Sequence, residues 1–348
     1  MDEKYETRKI QFTGKSSYII SLPKKWIDEL GLKRGDQIRI SKKGSTNLML
    51  TPPDIQPKTA QFDTATIEIG ANESPDTVAR RLISLYFLGF KTINVRPKSG
   101  RLKPSQRLHI KETVRRMLMG SEIISDSSEM ITIQVLINLL ELTVEGAFKR
   151  MVHLAKSVSR DALLAVQENN RELAAEVANM DDEIDRFGFY IIRQLKLAIQ
   201  NDHVLREIGF RSARSCLGYR VLVKNIERAG DHAVLIAKDV LEFDKRIDED
   251  AIVTLQDMNA FALSVLDDAC LALFKDDYAQ AEATIAKASR MSEYDARLQG
   301  ITGNIWDNEI VFRIRRMADN IRRISEYSVD IAEIVLNLNI EKTLKERS

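Results

Sequence analysis

None of the seven prolines in this 348-residue chain follows Pro104, so no later residue compels a helix to kink or stop. From about residue 138 to 340, apolar residues recur three and four apart: Leu139, Leu142, Val144, Phe148, Met151 and Val152, then Ala162, Leu163 and Val166. That period lines one helix face, so the back of the chain is expected to be all helical. It divides into two similar halves. The first contains Arg171–Gln200 and Ala213–Phe243, the second Ala279–Gly300 and Glu309–Asn339, each stretch read as one helix. The phrases Asn225-Ile226-Glu227-Arg228 and Asn320-Ile321-Arg322-Arg323 fall at comparable places in the two. Tandem three-helix bundles over residues 138–340 are the expected architecture.

The front of the chain follows another period. Ile10 and Phe12 begin a strand, Gly14-Lys15 turns it, and Tyr18, Ile20 and Leu22 line one face of the next. Pro23 suits a first helical position, opening a short helix from Lys24 to Leu30 that Gly31 closes. A second hairpin carries Ile38 and Ile40, a turn at Lys43-Gly44-Ser45, then Leu48 and Leu50. Strands and one helical turn within residues 1–52 bury too little apolar surface to stand alone, so this domain is expected to need a partner, most simply a second copy. Residues 51–63, with Pro52, Pro53 and Pro57, read as a linker. Beyond it, strands and helices alternate: Thr66–Ile69, a helix from Ser74-Pro75 to Leu88, Lys91–Val95, Pro104–Met119, and a terminal hairpin. That pattern predicts a small α/β domain over residues 60–137.

A net charge of +1 conceals an asymmetry. Residues 1–60 carry 12 Lys/Arg against 7 Asp/Glu, residues 61–120 carry 11 against 5, and the remainder carries 29 against 39. A basic front and an acidic back suit different partners. Cys216 and Cys270 form no paired spacing with each other or with His, which argues against a disulfide framework or a thiolate zinc site. No segment supplies the run of uncharged apolar residues that a membrane span needs, and Met1-Asp2-Glu3-Lys4 lacks the apolar core of a signal peptide. A cytoplasmic protein without membrane insertion is expected. There is no Gly-x-Gly-x-x-Gly after a strand, no Walker loop and no His-Glu-x-x-His, and the four His at 109, 153, 203 and 232 are dispersed. A non-enzymatic role is expected.

Between residues 8 and 43 there are ten Lys/Arg and three Asp/Glu, several at turns or at the helix start: Arg8, Lys9, Lys15, Lys24 and Lys25. Cations on the turns of a two-fold dimer can meet phosphates of both DNA strands, with counterion release driving affinity. The plainer alternative is the solvated surface of a dimerisation module. Residues 8–51, from Arg8-Lys9-Ile10-Gln11-Phe12 through Leu22-Pro23-Lys24 to Leu32-Lys33-Arg34-Gly35-Asp36, resemble the AbrB/SpoVT/MazE family. The resemblance implies an intertwined dimer of swapped hairpins that binds DNA, with contacts falling on Arg8, Lys15, Lys24 and Lys25. The family also includes dimerisation modules that bind little DNA.

In the helical region the informative feature is paired acids on apolar stripes. Asp181 and Asp185 share a face with Gly188, Ile192 and Leu195, while Glu227 and Asp231 lie one turn apart on another helix. If they face a bundle core they need a cation, and four inward carboxylates make a hard oxygen site for iron, manganese, magnesium or calcium. Alternatively they sit at the edge of the stripe, in water or paired with Arg186, Lys224 or Arg228. Residues 171–240 resemble the PhoU family of phosphate-uptake regulators, through Met180-Asp181-Asp182-Glu183-Ile184-Asp185 and Lys224-Asn225-Ile226-Glu227-Arg228-Ala229-Gly230-Asp231-His232-Ala233. The resemblance implies metal ligation by Asp181, Asp185, Glu227 and Asp231. In the second half Glu293 and Asp295 have Ser289 and Met291 four residues earlier, and Arg322 replaces the first acid of the later motif, although Glu326 and Asp330 recreate its spacing one turn on. A single metal site is therefore expected.

The expected whole is a homodimeric transcriptional regulator of phosphate uptake, with a DNA-binding front and a metal-binding helical back. The alternative is an interaction protein in which the front only dimerises and the back inhibits a phosphate ABC transporter's ATPase or a sensor kinase.

Overall fold

The computed structural model describes residues 6–14, 17–43, 47–52, 64–136, 142–210, 212–243 and 245–345. Lys15, the Gly44-Ser45 turn, most of the linker after Pro52, Leu139 and the expected boundary near residue 138 lie outside them. Two compact units emerge, residues 1–60 and 61–348.

The first unit holds two separate antiparallel hairpins: β1 (Gln11–Thr13) with β2 (Ser17–Ile19), and β3 (Arg39–Lys43) with β4 (Asn47–Thr51). Between them in sequence runs α1 (Lys24–Glu29). Pro23 precedes α1 as its cap and does not occupy the first helical position as expected, because its ψ of 128° is extended. Its ring still fixes the φ of −59° that the entry requires. Gly31 leaves the helix at φ +67°, a left-handed conformation that favours glycine. Ile10, Phe12, Tyr18, Ile20, Ile40, Leu48 and Leu50 are all exposed, and Pro23 alone is buried among the described residues of this unit.

The second unit opens with an α/β sandwich: β5 (Thr64–Ile69), α2 (Pro75–Leu88), β6 (Thr92–Pro97), α3 (Pro104–Met117), β7 (Ser121–Asp126) and β8 (Ile131–Val135). The strand order is β5-β6-β8-β7, with β5 and β6 parallel and the other pairs antiparallel. Ser74 caps α2 by accepting the Thr77 N–H, Pro75 takes the first helical position, and Gly89 ends the helix at φ +97°. Leu82 and Tyr86 of α2, Ile110 of α3, and Ile93, Val95, Ile131 and Ile133 of the sheet form the core between the layers.

The helical region comprises α4 (Val144–Glu168), α5 (Arg171–Asn179), α6 (Asp181–Gln200), α7 (Asp202–Glu207) and α8 (Ala213–Glu242), then α9 (Glu249–Lys275), α10 (Tyr278–Ala288), α11 (Met291–Thr302) and α12 (Asn308–Lys345). Two stretches expected as single helices are each split. At Met180 the backbone stays right-handed, but the hydrogen bonds shorten to three-residue turns, Met180 N–H to Val177 O and Glu183 N–H to Met180 O, both 3.1 Å. The acids Asp181, Asp182 and Glu183 then sit in a fresh first turn, where the helix dipole favours negative charge. The second half breaks in the same way: Arg290 N–H bonds Lys287 O and Glu293 N–H bonds Arg290 O, and α11 begins at Met291. Neither break carries Pro or Gly, so nothing in the residue types announced it. α8 and α12 join the two bundles. The fully buried Asp239 on α8 pairs there with Arg313, at 2.8 Å, and with Arg316 of α12. Among the described residues no helix is long and apolar enough to cross a membrane.

Candidate functional site

The acids expected on facing helices do meet. Asp181 is the first residue of α6 and Asp185 lies one turn on, while Glu227 and Asp231 are one turn apart on α8. Gly230, between the two α8 acids, packs against Ile184 of α6. A Cβ placed there would lie 2.6 Å from Ile184 Cδ1, so any larger residue would have to displace the end of that side chain. Burial raises the Asp181 carboxyl to about 6, with the charge of Asp231 and a hydrogen bond to it adding to the effect. Asp185 is pushed up to about 7, first by burial and then by the charges of Glu227, Asp181 and Asp231. Asp181 Oδ1 and Asp185 Oδ1 are buried without hydrogen-bond partners.

Cations on α8 offset part of this repulsion. Lys224 forms an ion pair with Glu227 from one turn away, and the field of Lys238 acts on Asp181. The donor chemistry, buried and repelling carboxylate oxygens, fits a hard cation. The cage is not preformed: among the described residues no three His, Cys, Asp or Glu side chains are set at chelating distance. A cation entering here must draw Glu227 from Lys224.

α6 is also the surface on which the α/β sandwich is seated. Arg193, buried, donates to the Tyr86, Gly89 and Phe90 carbonyls, the last two at 3.0 and 3.1 Å. These are the carbonyls at the C-terminal end of α2, where the helix dipole welcomes a cation. Arg116 of α3 pairs with Asp182, next to the first acid of the cluster. Phe87 stacks edge-on against Phe189 at 5.3 Å. Sequence reading did not find Arg193 or Arg116. Arg193 sits on the apolar stripe between Ile192 and Leu195, and nothing in its type marks a cation as the intended occupant.

His232 points away from the acids, as its helical offset from Asp231 requires. It bonds Asn320 through Nδ1 at 2.8 Å and the Tyr327 hydroxyl through Nε2 at 3.2 Å, which ties α8 to α12. In the first unit Lys24 and Lys25 are exposed at the start of α1, with Lys25 4.0 Å from Glu29. Arg8 is exposed and paired with Glu6, so a phosphate would share its guanidinium with that carboxylate or displace it. Lys15 lies outside the described residues.

Residues 148–240 match the family model of the PhoU domain, and residues 11–57 match that of the antidote-toxin recognition MazE, bacterial antitoxin. No curated protein matches the chain. Among solved structures, the phosphate transport system regulatory protein PhoU from Streptococcus pneumoniae is similar at 23% identity and a TM-score of 0.48, over 56% of this chain and 92% of that one. PhoU from Pseudomonas aeruginosa is similar at 19% identity and a TM-score of 0.47, over 56% of this chain and 94% of that one. The chain thus joins a MazE-like N-terminal module to a PhoU-like helical region in one polypeptide.

Proposed function

We propose that the chain is a DNA-binding regulator of phosphate uptake and not an enzyme. One observation carries this reading: a MazE-like module with Lys24 and Lys25 exposed shares a polypeptide with a PhoU-like helical region. Residues 1–52 serve as a homodimeric DNA-binding front, residues 138–340 receive the input, and the α/β domain of residues 60–137 joins them. The exposed apolar strands of both hairpins supply the reason to dimerise, and a two-fold dimer repeats Arg8, Lys15, Lys24 and Lys25 on both sides of an operator. In the helical region Asp181, Asp185, Glu227 and Asp231 hold iron, manganese or magnesium, whose charge offsets the repulsion of the carboxylates. The input comes from the cytoplasmic face of a phosphate ABC transporter through its ATPase, or from a partner regulator.

A gel-shift titration against the phosphate-transporter promoter at several salt concentrations tests this. Replacing Lys15, Lys24 and Lys25 together by Ala should weaken binding and reduce the slope of log K against log salt by about 0.9 for each phosphate that is no longer neutralised. If the triple variant binds as tightly as the parent, the front only dimerises and the chain acts on a transporter ATPase or a sensor kinase. The pairing of Arg8 with Glu6, which occupies one of the four cations, favours that second reading.

A further inference from the structure

The two bundles share a register but carry opposite charges at one pair of positions. Asn225 and Ile226 of α8 are buried, as are Asn320 and Ile321 of α12, so the two phrases sit equivalently in their helices. Carried along that register, Glu227 corresponds to Arg322, Asp231 to Glu326 and Lys224 to Asp319. The first residue of α6, Asp181, corresponds to the first residue of α11, Met291, and Asp185 corresponds to Asp295. Both halves keep an ion pair at the same spacing, one turn apart. In the first it runs from Lys224 to Glu227, in the second from Asp319 to Arg322, with the signs exchanged.

The exchange puts a cation at the position that an acid holds in the first half, with Asp319 as its closest partner. Arg322 Nε is 3.9 Å from Glu326 Oε1, a carboxylate that Arg323 also pairs at 2.8 Å, and across the cleft between α11 and α12 the Arg322 charge offsets part of the rise that burial imposes on the Asp295 carboxyl. That cleft, of about 350 Å³, is lined by both Asp295 and Arg322. Met291 is 5% exposed and joins the apolar core, so the fourth acid of the first half has become packing. A guanidinium bonded to Asp319, near Glu326 and acting on Asp295, supplies fixed positive charge and directional donors, part of what a hard cation would otherwise bring.

From this we infer that Arg322 is the specificity-determining residue of the helical region: its guanidinium fills the place of a metal ion in the second bundle, so that the chain takes up metal through the first bundle alone. The second bundle is then a strut whose charge balance is independent of metal supply, and only the α6–α8 end responds. This inference rests on the metal reading of Asp181, Asp185, Glu227 and Asp231, and the test separates the two.

The full-length chain is stripped with chelator and titrated with Mn(II), and bound metal is counted for three proteins: the parent, Asp185→Asn with Asp231→Asn, and Asp319→Lys with Arg322→Glu. The last restores the polarity of the first half and keeps an ion pair at the same spacing. The expected result is binding by the parent, none by the Asp185/Asp231 variant, and twice the parent's metal in the inverted variant. Binding by the inverted variant but not by the parent supports the role of Arg322 while rejecting the metal reading of the first half. Metal retained by the Asp185/Asp231 variant overturns the inference, and so does an inverted variant that takes up no more than the parent. Should the inverted variant fail to fold, Arg322→Gln carries the test. Its melting temperature in chelator falls below the parent's and is recovered by Mn(II). A melting temperature equal to the parent's, or one that Mn(II) leaves unmoved, overturns the inference.

Discussion

In the first unit Phe12 is 60% exposed, Tyr18 72%, Ile40 66% and Leu48 73%, whereas in the second Tyr86, Phe148 and Tyr190 are wholly buried. The cause is geometric. Strands of three to five residues in separate two-stranded sheets present apolar side chains that no other described residue of this unit covers. The second unit stacks layers: a four-stranded sheet, two helices on its face, then α6 and the bundles. Its apolar stripes find partners within the chain. The first unit therefore leaves its apolar strand residues exposed, whereas the second closes a core of its own. Hydrophobic content alone does not separate them; the number of layers does.

The largest effect that would break this contrast is loss of the proposed dimer. Replacing Ile40 and Leu48 by Ser removes about 1.5–3 kcal/mol per side chain from the expected interface, and a two-fold dimer doubles the loss. The chain should sediment as a monomer while the second unit melts as before. A dimer that survives would place the interface in residues 64–345. Next in size is Phe148→Ala, which opens a cavity in the first bundle and should cost about 3–5 kcal/mol, read by denaturant unfolding with the association state unchanged.

A third prediction adds metal to the contrast. Mn(II) or Fe(II) should raise the melting temperature of the second unit only, by an amount corresponding to about 2.7 kcal/mol at a hundredfold excess over Kd. Glu227→Gln with Asp231→Asn should abolish the rise. Elemental analysis without metal, joined to no thermal shift with any divalent ion, would reject the site.

Much of this was legible in the sequence, for reasons that differ by region. The α/β elements are bounded by Ser74-Pro75, Gly89 and Pro104, residues whose backbone preferences act locally, so they lie close to where the pattern puts them. The meeting of Asp181 and Asp185 with Glu227 and Asp231 follows from their helical spacing once α6 and α8 are neighbours. The breaks at Met180 and at Ser289-Arg290 were not legible, because both keep right-handed dihedrals and use no helix-breaking residue. Arg193 was equally hidden. Its three carbonyl partners belong to Tyr86, Gly89 and Phe90, about a hundred residues earlier, and only packing of α2 on α6 creates the demand for a buried cation.

The smallest predicted effect is also the one whose sign discriminates best. In the metal-free protein Asp181 is raised to about 6 and Asp185 to about 7, both above the ordinary carboxylate value of 3.8. The folded state then binds protons more tightly than the unfolded chain, so these two groups make stability fall as pH rises from about 4 to about 7. The lowered carboxyls of Glu73 and Asp126 act in the opposite direction, and their contribution is lost as the solution becomes more acid than about pH 4. Asp185→Asn isolates the effect, because an amide keeps the shape and carries no charge to titrate. In chelator near pH 8 the variant should be more stable than the parent, by about 1–2 kcal/mol once solvent screening of the half-buried cluster is allowed for. Near pH 4, where the Asp185 carboxyl is already protonated, the two should unfold alike. With Mn(II) at pH 8 the order should reverse, since a neutral amide oxygen is a weaker partner for a hard cation than a carboxylate. A variant less stable than the parent in chelator at pH 8 would mean that Lys224 already balances Asp185, and that the first bundle, like the second, supplies its own cation.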